Sequence, residues 1–162
     1  MYSLLTHLHY NLWANRTICG YIENAGEELF TRETSGSFPT LRHTLLHIWD
    51  AEYIWMKRIR GETATNIPGE IFKGNMFDAI NGLLQSSAAL CDLVEKHPPD
   101  FIFQSITYQN LKGDTFQNTV EQILYHVVNH GTYHRGQIIV MLRALGYTRV
   151  GSTDLITYLR KL

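Results

Sequence analysis

His126, His130 and His134 stand four residues apart within the stretch His126-Val-Val-Asn-His130-Gly-Thr-Tyr-His134-Arg-Gly-Gln137. On a helix, residues i and i+4 lie one above the other on a single face, so two imidazoles at that spacing can converge on one metal ion. All three cannot do so easily, because His126 and His134 would be about 12 Å apart at ~1.5 Å per residue. One pair is therefore the ligand unit. At about 100° per residue, Val120, Ile123, Leu124, Val127, Gly131, Ile138, Met141, Leu142 and Leu145 form one apolar stripe. His134 falls inside it, His130 at its edge and His126 on the flank. A buried imidazole needs partners for its ring nitrogens, which selects His130 and His134. The competing account is a pair of hydrogen-bonded core histidines, and spacing alone does not separate the two.

The elements that must position this pair follow from periodicity and punctuation. The chain has 162 residues, 44% hydrophobic and 18% charged, enough for one globular domain with a single core. A formal net charge of -1 offers no basic field for nucleic acid. No apolar run approaches the ~20 residues of a membrane span. The opening Met1-Tyr-Ser-Leu-Leu-Thr-His is not expected to be a secretory signal, since it lacks a basic segment and is broken by polar residues. Cys19 and Cys91 share no pairing motif and are expected to be buried, reduced thiols of a cytoplasmic protein.

A first helix is expected over about residues 3–25, with Leu4, Leu8, Leu12, Cys19 and Ile22 on its apolar face. Trp13 is read as packing rather than as a ligand. Residues 26–38 read as a connection, and Ser37 ahead of Pro39 as the start of a second helix reaching Arg60 and stopping at Gly61. In that helix Glu52 falls among Leu41, Leu45, Ile48, Trp55 and Ile59, so it is either buried and paired or placed at a site. His47 lies on the flank, His43 points further outward, and Arg58 is either an ordinary surface cation or an anion binder. Residues 61–74 read as a loop. Asn75 with Asp78 opens a third helix that ends at His97-Pro98-Pro99, where His97 meets the negative end of the helix dipole. Residues 100–117 read as a short β-hairpin or extended loop around Lys112-Gly113-Asp114. Thr119 with Gln122 matches a capping box for the last long helix, which stops at Gly146, and Asp154 opens a short amphipathic tail.

Four long amphipathic helices with one crossover predict an all-α four-helix bundle over residues 1–162, an architecture that builds metal sites from facing helices. The His130–His134 pair then needs one more ligand from another helix, and His47 is the best placed.

The chain resembles the DinB family, the DinB/YfiT-like metal-dependent bundles that are distinct from the DNA polymerase sharing that name. The resemblance covers essentially the whole chain. It rests on Tyr10-Asn-Leu-Trp13-Ala-Asn15, on His47-Ile-Trp-Asp-Ala-Glu52-Tyr-Ile-Trp55-Met-Lys-Arg58, on residues Tyr108 to Gly113, on Asp154 to Tyr158, and most specifically on His126 through Gln137. It implies an up-down-down-up bundle, often a homodimer, and a zinc or nickel ion held by His47, His130 and His134. Relatives of this kind include thiol-S-transferases and thiol-dependent isomerases that use bacillithiol, mycothiol or glutathione, while many members have no known reaction.

Three neutral imidazoles on zinc leave an open coordination position, the pattern of a catalytic site. The metal then lowers the pKa of a bound water or low-molecular-weight thiol, which can attack a small electrophilic substrate. Glu52, Asp50, Asn129 and His126 are candidates for orienting the imidazoles, and Gln137 either meets a ligand or faces water. The alternative function is a non-catalytic, stress-related dimeric metal binder. A solvent-accessible open position favours the enzyme; a fourth protein ligand favours the staple.

Overall fold

The computed structural model describes residues 3–110 and 112–162. Met1 and Tyr2, at the head of the segment judged not to be a signal, and Leu111, within the expected hairpin turn, lie outside the described residues. The chain is mostly helical with one small antiparallel sheet. Its helices are α1 (Leu4–Ala25), α2 (Glu27–Thr31), α3 (Leu41–Ile59), α4 (Pro68–Ile71), α5 (Met76–Glu95), α6 (Val120–Ala144) and α7 (Leu155–Leu159). A 3-10 turn at Pro99–Phe103 leads into strands β1 (Ser105–Gln109) and β2 (Thr115–Thr119). Helices α1 and α3 each pack against both α5 and α6. No helix among the described residues is long and apolar enough to cross a membrane.

The helix boundaries have local causes. Asn75 accepts a hydrogen bond from the Asp78 amide while the Asp78 carboxylate accepts one from the Asn75 amide. Thr119 and Gln122 do the same for α6, so both expected caps form. Helix α3 starts differently from expectation. Thr40, not Ser37, is its cap and accepts from the His43 amide, because Thr40 is still extended and the first helical residue is Leu41. Two expected connections also contain short helices. In 26–38, α2 buries Phe30 completely, and Glu27 accepts from the Met76 amide at the start of α5. In 61–74, Pro68 opens α4, and Asp50 on α3 accepts from the Gly69 amide.

The hairpin forms in the register Tyr108↔Phe116, with Gly113 at φ +87° in its turn. Asn110 organises that turn by accepting from the amides of Lys112 and Asp114. Tyr108 then packs edge-on against Trp55 of α3, with ring centroids 4.9 Å apart. At the other end of the chain, Tyr158 of α7 lies against Trp13 and Tyr10, and Tyr10 donates to the Thr153 carbonyl. Trp13 is thus a packing residue. His97 bonds the Leu93 carbonyl at 2.7 Å at the end of α5, as its position at the dipole's negative end requires. Cys19 and Cys91 are free and buried.

Apolar residues form two clusters, one around Leu8, Leu90 and Leu124 and the other around Ile22, Leu45, Leu83 and Leu142. Between them in sequence, on all four long helices, lies a layer of buried polar residues: Asn11 and Asn15 on α1, Glu52 on α3, Ser87 on α5 and Arg135 on α6. Helices α3 and α5 approach closely where Gly82 faces the ring of Trp49, which occupies the space a Cβ would need. Alanine ordinarily stabilises a helix interior over glycine by ~1 kcal/mol. Here Gly82→Ala is expected to lower stability by about 1–3 kcal/mol through overpacking, read as a reduced midpoint in urea denaturation.

Candidate metal centre

His130 and His134 project from adjacent turns of α6, and His47 reaches them from α3. The placement follows the predicted rotation of α6: His134 is buried, His130 half-buried and His126 exposed. The Nε2 atoms of His47 and His130 lie 3.1 Å apart. Ring centroids are 4.5 Å apart for His47 and His134, and 4.3 Å for His130 and His134. One donor atom from each of the three residues lies within 4.8 Å of the others. Nitrogen ligands at ~2.0–2.1 Å from one tetrahedral zinc stand about 3.3 Å apart, close to the observed His47–His130 separation. Two ring nitrogens facing each other share at most one proton between them, whereas two lone pairs aimed at one point suit a cation. Among the described residues, no carboxylate belongs to the cluster. A donor set of neutral nitrogens fits zinc or nickel better than a hard, oxygen-seeking ion. The three histidines can therefore hold a metal ion.

The neighbours set orientation and charge. His134 bonds Gln137 Oε1 through Nδ1 at 2.7 Å, and Gln137 Nε2 donates to Ser37 Oγ at 3.0 Å. With its Nδ1–H donated, His134 keeps the Nε2 lone pair for the centre. Gln137 is thus the orienting residue, and it does not simply face water. The other four candidates have different roles or none here. Asp50 secures Gly69, Glu52 belongs to the polar layer, His126 packs on Trp55 with centroids 5.3 Å apart, and Asn129 is exposed. Phe38 covers the rings of His47 and His134 at 4.8 and 5.7 Å.

Burial, with added repulsion from the neighbouring imidazoles, pushes the His130 pKa down to about 4. His47 and His134 are also lowered, mainly by burial. All three rings are accordingly neutral, as metal ligands must be. Between the ordinary value of 6.5 and the folded value of about 4, the unfolded chain binds more protons at His130 than the folded one. That contribution to stability is present above pH 6.5 and is lost as the pH falls toward 4. Glu52 works in the opposite direction: burial raises its pKa from 4.5 to about 7, so the folded chain holds the extra proton in that window. Thermal melts of chelated protein should therefore show a shallower loss on acidification in His130→Asn and a steeper one in Glu52→Gln than in the wild type.

The polar layer fixes the rotation of α6 and hence the aim of its histidines. Arg135, immediately after His134, is 1% exposed and was not identifiable as buried from its residue type. Its Nη1 donates to Asn11 Oδ1 at 2.8 Å and to Asn15 Oδ1 at 2.7 Å. The amide nitrogens of the same two asparagines donate to Glu52 Oε1 at 2.8 and 2.9 Å. Ser87 Oγ lies 2.8 Å from Glu52 Oε2, and Arg135 Nη2 donates to Thr132. Gly131 makes room, since a Cβ there would stand 2.8 Å from Arg135 Nη1. The available signal was the pairing of Gly131 with Arg135 at i, i+4 inside the apolar stripe, together with Asn11 and Asn15 at the same spacing on α1.

Beside the histidines, one helical turn from His130, a cleft of about 270 Å³ is lined by Trp55, Tyr108, Asn118, Gln122, Ile123 and His126. A larger cavity of about 390 Å³, bounded by Ile59, Arg60, Leu93 and Phe101 among others, shares no residue with the cluster. Along α3 it begins about 18 Å from His47 at ~1.5 Å per residue, farther from the cluster than the smaller cleft, whose His126 ring centroid lies 6.0 Å from that of His130.

The model of the DinB family matches residues 1–161. Protein DinB of Bacillus subtilis (strain 168) is 28% identical over 143 residues, covering 85% of this chain and 83% of the relative. The uncharacterized protein YizA of the same organism is 23% identical over 128 residues, covering 78% and 77%.

Proposed function

The chain belongs to the DinB family, and from that premise we propose that it is a divalent-metal-dependent enzyme whose ion is held by His47, His130 and His134. The observation that carries the reading is the convergence of three neutral imidazoles from two helices within 4.8 Å, with no fourth histidine, cysteine or carboxylate in the cluster among the described residues. Zinc or nickel suits the donors. The ion, when bound, supplies the Lewis acidity that lowers the pKa of a water or thiol. The chain's own residues do the rest. Gln137, itself held by Ser37, keeps His134 in the tautomer that presents Nε2 to the centre. Phe38 shields two of the rings from solvent on one side. Arg135 and the asparagines keep α6 from rotating the pair away. The reaction class is transfer of a low-molecular-weight thiol to a small electrophile, or a related small-molecule hydrolysis or transfer. The architecture we assign is one up-down-down-up four-helix bundle domain over residues 1–162, acting in the cytoplasm as a homodimer.

A panel of thiols and electrophiles assayed on metal-loaded and chelated protein tests this. Turnover confined to the loaded form is expected. Absence of turnover with every pair moves the reading to a non-catalytic, stress-related dimeric metal binder, which the supply of ligands by both α3 and α6 also favours, since an ion there would cross-link the two helices.

A further inference from the structure

The cleft beside the histidines has walls and polar atoms of a consistent kind. Trp55 and Tyr108 meet edge to face at 4.9 Å, and the His126 ring stands 5.3 Å from Trp55. These rings offer flat apolar surface to a planar group. The side-chain amide oxygens in the cleft are already engaged. Asn118 Oδ1 takes the Tyr108 hydroxyl proton, and Gln122 Oε1 takes both Asn118 Nδ2 and the Thr119 amide. The donors are not: Trp55 Nε1, Gln122 Nε2 and the single N–H of the neutral His126 ring have no hydrogen-bond partner among the described residues. Arg58 completes the pattern. Its guanidinium carbon lies 4.5 Å from the Trp55 centroid and 4.9 Å from that of Tyr108, and it donates to the Gln109 carbonyl. No carboxylate pairs with it among the described residues. No acidic residue lines the cleft. Apolar ring walls, unpaired donors, a lining without an acidic residue and an unneutralised cation over two of the wall rings favour a ligand that is planar, small and anionic.

We propose that the cleft formed by the hairpin, α3 and α6 is a recognition subsite for a small organic carboxylate with a planar apolar body, seated against Trp55, Tyr108 and His126. The volume of about 270 Å³ admits a single ring with a short acidic arm. The His126 and His130 ring centroids are 6.0 Å apart, so the cleft adjoins the histidine cluster. The assignment of this cleft to substrate rests on the metal-enzyme reading above; the binding itself does not need the metal.

Phenylacetate titrated into chelated protein, followed by ligand-observed NMR, tests the subsite. Phenylacetate is expected to bind, with phenylacetamide and acetate each weaker by roughly tenfold, since one loses the charge and the other the ring. His126→Ala and Arg58→Met should each weaken phenylacetate by roughly fivefold or more. Trp55→Phe should weaken it less than Trp55→Ala, and Val140→Ala, on the exposed face of α6 away from the cleft, should leave it unchanged. Absence of binding to the chelated wild type, equal affinity for the amide, or undiminished binding to folded Trp55→Ala overturns the proposal. Elemental analysis of the same protein before chelation keeps the two readings apart. Stoichiometric metal without phenylacetate binding sinks the subsite alone; phenylacetate binding by protein that takes up no metal sinks the metal centre alone.

Discussion

His130→Ala and His134→Ala hold only trace metal after loading and dialysis, while His126→Ala keeps most of it; this is the expected result of elemental analysis on the three variants. His47→Ala behaves like the first two. The separation follows from geometry. His47, His130 and His134 present donor atoms within 4.8 Å of one another, whereas the His126 ring has turned to Trp55. Removing one of three ligands leaves two, and the remaining pair on α6 or across α3 and α6 binds an exchangeable ion at best. Gln137→Ala is expected to fall between these extremes, weakening affinity by roughly 10–100-fold, because it loosens the His134 ring without removing a donor. Metal lost in His126→Ala but retained in His134→Ala would falsify the ligand assignment.

Arg135→Met is expected to be the most destabilising substitution in the chain, costing about 3–5 kcal/mol. The reason is not the loss of one direct ion pair, since Arg135 reaches Glu52 through Asn11 and Asn15. The substitution leaves the oxygens of both asparagines without their shared donor, and it leaves the Glu52 carboxylate, 2% exposed, without a counter-charge. Burial already drives the Glu52 pKa up to about 7, opposed by the hydrogen bonds of Asn11 and Ser87 and then by the charge of Arg135. Without the guanidinium that pKa rises further, so the loss is largest above neutrality, where keeping Glu52 protonated costs most. Glu52→Gln removes the uncompensated charge, so the double variant Arg135→Met/Glu52→Gln should recover part of the loss. The coupling is measured by thermal or urea denaturation of the four proteins of the cycle at pH 6 and pH 8. Strict additivity at both pH values would show that the asparagine bridge transmits nothing between the two charges.

Much of the fold is local and was therefore readable. The capping boxes Asn75/Asp78 and Thr119/Gln122 join residues three apart, and each forms as its spacing predicts. The stripe running from Val120 to Leu142 predicted the burial order of the three histidines on α6, because rotation by about 100° per residue is a property of any helix. The same rule placed Glu52 inside the apolar face of α3 but left open what it meets. A distant contact decided where Phe30, buried against the core, turned a supposed connection into a helical turn, whereas the start of α3 moved from Ser37 to Thr40 through another local cap, Thr40 with the His43 amide.

By itself, then, the sequence determined that two imidazoles would share one face of the last long helix, with a third histidine turned aside. Those are consequences of helical repeat and side-chain type within a few residues. Tertiary structure decided that His47 would meet His130 across 83 positions of chain, that Gln137 would be the group steadying His134, and that Arg135 would be buried between two asparagines. It also decided that a hairpin would fold Tyr108 onto Trp55 and so build a cleft beside the centre. Such contacts depend on how separately formed elements rotate and approach as they exclude water, and the partner that satisfies each buried polar group exists only once that packing is complete.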